Sequence, residues 1–96
     1  MMIDCEEVML QAIAEYGKDA QTDMMIEEMS ELTKALLKHR RNPSPKTIED
    51  IKEEMADVQI MLDQMRLIYG DNSGYRTEKL LRLAARLGID DGGAGG

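Results

Sequence analysis

The chain has no tryptophan and no phenylalanine, and its only aromatic residues are Tyr16, Tyr69 and Tyr75. That composition does not build a sandwich or barrel core of aromatic and β-branched side chains. A single cysteine, Cys5, excludes an intrachain disulfide and fits a reducing compartment. Cations are the minority charge, with 12 Lys and Arg against 19 Asp and Glu and a net charge of −7. This balance argues against a nucleic acid polymer as partner, which would need a basic footprint. No apolar run approaches the roughly 20 residues of a membrane span, and the N-terminus has no signal-peptide pattern. The expected setting is cytoplasmic, with no membrane partner.

What the chain does have is methionine, nine residues of it, within a hydrophobic content of 43%. Methionine fills irregular gaps between packed helices, and the apolar spacing predicts an all-α fold of four helices. The first spans about Asp4 to Tyr16, with Val8, Met9, Ala12 and Ile13 as its apolar face and Gly17 as its end. A second runs from about Ala20 to Arg40, with Met25, Met29, Leu32 and Leu36 in one row. Lys38, His39, Arg40 and Arg41 follow, where cations complement the helix dipole. Asn42-Pro43-Ser44-Pro45 breaks the chain, and Ser44 or Thr47 can cap a third helix reaching Tyr69. After Gly70-Asp71-Asn72-Ser73-Gly74, a fourth helix from about Tyr75 to Leu87 alternates leucines with Arg76, Lys79, Arg82 and Arg86. Residues 1–89 read as one domain, and the Gly-rich tail 90–96 as disordered.

Two acidic clusters stand out on the long helices: Glu27-Glu28-Met29-Ser30-Glu31 and Glu53-Glu54-Met55-Ala56-Asp57. At about 100° per residue, Glu54 falls within the stripe of Ile51, Val58, Met61, Leu62, Met65 and Ile68. Glu28 falls likewise between Leu32 and Ala35. Acids on a core-facing stripe are costly unless their charge is compensated. If the two long helices pack antiparallel, Glu28 and Glu31 face Glu54 and Asp57 across one cleft. Four carboxylates make an all-oxygen site suited to Mg²⁺, with Mn²⁺ as substitute. Zinc is disfavoured because Cys5 and His39 are isolated, and a di-iron site because no Glu-x-x-His pair is present. Magnesium bridging to phosphate oxygens points to phosphoryl or nucleotidyl chemistry.

The third helix is apolar on a second side as well, through Ala56, Ile60 and Leu67. Such a helix is normally buried by more than its own chain. The expected assembly is a symmetric homodimer, with pairing into a tetramer open.

Glu27-Glu28-x-x-Glu31, a 22-residue gap, then Glu54-x-x-Asp57 resembles the signature of the MazG-like all-α nucleoside triphosphate pyrophosphohydrolases. The likeness extends over roughly Val8 to Leu87 and is nearest to the short, single-module members of phages and Gram-positive bacteria. It implies a four-helix module that hydrolyses an NTP or dNTP between the α and β phosphates, releasing the monophosphate and pyrophosphate. By that resemblance Glu28, Glu31, Glu54 and Asp57 are the metal ligands, and Glu27 orients the attacking water, accepts its proton or takes a further ion. Lys79 would reach phosphate oxygens across a dimer interface, and Gln21 would touch the nucleotide. Members of the family often sandwich the base between aromatics, for which only the three tyrosines are available. Housecleaning of damaged nucleotides, a dUTP or dCTP preference and broad specificity all remain open. The local wording favours this branch over the phosphoribosyl-ATP pyrophosphohydrolases, which share the helical plan. The alternative reading is a catalytically silent helical oligomer serving as an interaction module.

Overall fold

The structure is a computed structural model that describes residues 2–89, and every described element is helical. Helix α1, Cys5–Tyr16, starts where the Asp4 carboxylate accepts the Glu7 backbone N–H at 3.2 Å. It stops at Gly17, whose φ of +90° lies in a region that side chains with a Cβ rarely adopt. Helix α2, Lys18–Arg41, begins directly after that glycine, two residues earlier than the spacing suggests. Helix α3, Pro45–Tyr69, opens with both halves of a capping box between Ser44 and Thr47, and Pro45 sits in its first turn. Gly70, at φ +113°, ends α3, and α4 follows over Ser73–Arg86. The tail 90–96 lies outside the described residues.

Three side-chain hydrogen bonds establish that α2 and α3 form an antiparallel hairpin. Gln21 pairs with Gln64 and Thr22 with Tyr69 at one end, and His39 pairs with Thr47 beside the connection. Helix α1 packs against both members of the hairpin, while α4 packs against none of the other three helices. The expected four-helix module is therefore, within one chain, three packed helices and one that projects. The radius of gyration is 17.5 Å, where a compact chain of this length has about 12 to 13 Å.

Burial is correspondingly thin. Among the described residues Met61 is the only buried apolar side chain; the other buried ones are Gln21, Thr47 and Gln64. Ile51, Val58, Met65 and Ile68 are half-buried on the expected stripe of α3, but Leu62 is exposed. In α2 the expected row splits: Met25 and Leu32 are half-buried, Met29 and Leu36 exposed. Val8 is exposed on α1. Tyr69, one turn beyond Met65 at the end of α3, is 67% exposed, and its hydroxyl meets Thr22 Oγ1 at 2.8 Å. The physical reason is common to all of these. A hairpin crossed by one short helix covers one narrow face, and side chains about 100° off the facing row have nothing to press against.

Candidate metal centre

The hairpin's own geometry brings the two acidic segments together. Gln21 Nε2 donates to Gln64 Oε1 at 2.7 Å, with both side chains buried. Seven residues onward along α2 is Glu28, and seven residues back along α3 is Asp57. Seven residues are close to two full turns, so both side chains return to the face that the glutamines occupy. From the other end, the step from Thr47 along α3 to Glu54 is the same, two turns from the His39–Thr47 bond. Two polar fasteners thus bracket the acids.

Glu28, Glu54 and Asp57 each offer a carboxylate oxygen within 4.8 Å of the other two. Glu28 and Glu54 are half-buried and Asp57 is exposed. Burial raises the Glu28 carboxyl above its ordinary value of 4.5, reinforced by repulsion from Asp57, a hydrogen bond with Asp57 and the charges of Glu54 and Glu27. Burial first, then the charges of Asp57 and Glu31, raises Glu54 as well. None of the three is in an ion pair among the described residues. The site is therefore negative charge without a protein counter-charge. An all-oxygen donor set fits a hard divalent cation, whose ligand oxygens in an Mg²⁺ shell sit roughly 3 to 4 Å apart.

The other expected site residues sit at different distances from this group. Glu31 is close enough to repel Glu54, but it pairs with Lys34 at 3.3 Å and is not in the tight trio. Glu27 is exposed, beside Glu28 and outside the trio. Gln21 is buried and committed to Gln64, so its amide serves the hairpin. Lys79 is on α4, which leaves it apart from the acids within one chain.

Two recesses adjoin one another here. Met24, Glu28, Asp57, Ile60 and Met61 line the one that holds the acids. Its neighbour, of about 490 Å³, is lined by Tyr16, Ala20, Gln21, Asp23, Met24 and Met61. Met24 and Met61 form the wall common to both. Gln64, Met24 and Asp23 were not singled out as site residues by the sequence reading. Gln64 carries a usable signal, an amide on the apolar stripe of α3 that needs a partner, whereas Met24 carries none. Comparison with protein-family models, with curated proteins and with solved structures gave no match to this chain.

Proposed function

We propose that this protein is a Mg²⁺-dependent nucleoside triphosphate pyrophosphohydrolase of the MazG-like kind, cleaving an NTP or dNTP between the α and β phosphates. The observation that carries this reading is the trio Glu28, Glu54 and Asp57, three carboxylates held together with no cation from the protein. A bound Mg²⁺ would neutralise triphosphate charge and acidify a water for attack. Glu28, Glu54 and Asp57 would hold it, and Glu31 would join them by releasing Lys34, since an exposed pair of this kind is worth little. Glu27, exposed beside Glu28, would orient a water or accept its proton. The recess beside the trio would take the nucleoside, with the exposed Tyr16 ring available for stacking and Met24 and Met61 as its apolar floor.

The working form in this reading is a homo-oligomer in the cytoplasm, a dimer or a pair of dimers. Its support is the side of α3 that the chain itself leaves open, where Ala56 and Ile60 are exposed. Among the described residues no helix is long and apolar enough to cross a membrane. A second reading, a catalytically silent helical oligomer, draws on Glu31 and Lys79 standing apart from the trio.

The deciding measurement is pyrophosphate release from a panel of NTPs and dNTPs, with Mg²⁺ or Mn²⁺ and then with EDTA. Metal-dependent turnover is expected, lost by about a hundredfold or more in Glu54→Gln with helicity retained by circular dichroism. Absence of turnover on every nucleotide together with absence of Mg²⁺ binding would leave the silent oligomer as the function.

A further inference from the structure

Helix α4 is the one element with no place to go in a single chain. Its four cations, Arg76, Lys79, Arg82 and Arg86, oppose one acid, Glu78, whereas residues 2–72 hold 16 acids against eight cations. Arg76, Leu80, Leu83 and Leu87 follow one another at steps of four, three and four, the spacing of a helix seam. Leu80, Leu83 and Leu87 are exposed, and Lys79, Arg82 and Arg86 flank them along one edge. Helix α3 has a matching seam on the exposed side that borders its α2-facing row. Glu49, Glu53, Ala56, Ile60, Asp63 and Leu67 follow at steps of four and three, and its middle is the open concavity holding Ala56, Ile60 and Asp63. The acids there are available: Glu53 has no ion-pair partner among the described residues, while Glu49 and Asp63 pair only with Lys52 and Arg66 of their own helix. Both are partly exposed neighbours of the kind that contributes little.

We infer that α4 of one copy docks on this outer seam of α3 of a second copy, and reciprocally, so that the leucines meet Ala56 and Ile60 and the basic edge meets Glu49, Glu53 and Asp63. Charge decides the choice of surface. Pairing α4 with α4 would set four cations against four, whereas the α3 seam is an acidic apolar strip of matching pitch. The inference rests on the homo-oligomer reading and is independent of the hydrolase reading.

The test is a charge exchange read by sedimentation equilibrium. The wild-type chain is expected to be dimeric. Glu53→Lys/Asp63→Lys and, separately, Arg82→Glu/Arg86→Glu are each expected to weaken self-association about tenfold or more. Mixing the two restores it, because both interfaces of the mixed pair then join opposite charges. A monomeric wild type, unweakened variants, or folded variants whose mixture stays dissociated would each overturn the inference. Should a variant fail to fold, cross-linking of the wild type answers. Isotope-labelled and unlabelled chains are mixed and coupled with a zero-length carbodiimide reagent. Links from Lys79 to Glu49, Glu53 or Asp63 between labelled and unlabelled chains support trans docking; links only within one label overturn it. A pyrophosphatase-inactive dimer with those links leaves the docking standing.

Discussion

Partial burial first, and then repulsion among carboxylates gathered without a cation, makes Glu28 and Glu54 hold their protons more tightly than in the unfolded chain. The sign follows. With both carboxyls raised, the folded state binds more protons than the unfolded state at pH above 4.5, so the acids cost stability at neutral pH. That cost is relieved as pH falls through the raised values toward 4.5. A divalent cation relieves it at neutral pH in the same way. Thermal unfolding at pH 7 should therefore shift upward with Mg²⁺, by about 1.4 kcal/mol of stability at tenfold excess over Kd. The gain should shrink at pH 5.5 and be largely absent in Glu28→Gln. A Mg²⁺ response unchanged in Glu28→Gln would remove Glu28 from the site. The acids themselves were legible as residues, since carboxylates on an apolar stripe are conspicuous. Their separation into a tight trio and an outlying Glu31 was not, because that depends on how the two packed helices set the carboxylates against one another.

Among the elements, the boundaries were the most readable part of the fold. Gly17, Gly70 and the Ser44-Pro45 start each carry a local physical reason that no tertiary contact has to supply. The capping box illustrates it, since Thr47 Oγ1 takes the Ser44 N–H at 2.9 Å while Ser44 Oγ takes the Thr47 N–H at 3.1 Å. Ser44→Ala should cost about 1 kcal/mol in denaturant unfolding. Thr47→Ala should cost more, because its hydroxyl also meets His39 Nδ1 at 2.8 Å. Equal costs would show that the bond to His39 contributes nothing. Which faces end up covered was much less readable. Periodicity puts Leu62, Met29 and Leu36 on apolar rows, but it cannot say whether the covering surface belongs to the same chain.

At the scale of the whole molecule, charge and shape divide the chain in the same place. An acidic hairpin with α1 forms one body, and a basic amphipathic helix projects from it beyond Gly70. If α4 is covered only by a second copy, its backbone amides should exchange with solvent rapidly in dilute protein and slow down as concentration rises. Those of α2 and α3 should change far less. Hydrogen exchange followed by mass spectrometry over a concentration series reads this directly, and concentration-independent exchange in α4 contradicts it. The two polar fasteners that bracket the acids also set where this chain can tolerate a change of length. One inserted residue between Gln21 and Glu28, or between Asp57 and Gln64, swings an acid about 100° off the shared face while its fastener stays put. An insertion at Asn42–Ser44 or at 71–72 lies outside every one of those intervals and leaves the trio aligned. Drift in length is thereby left to the bends between helices, and the acidic centre behaves as a ruler-measured part of the hairpin.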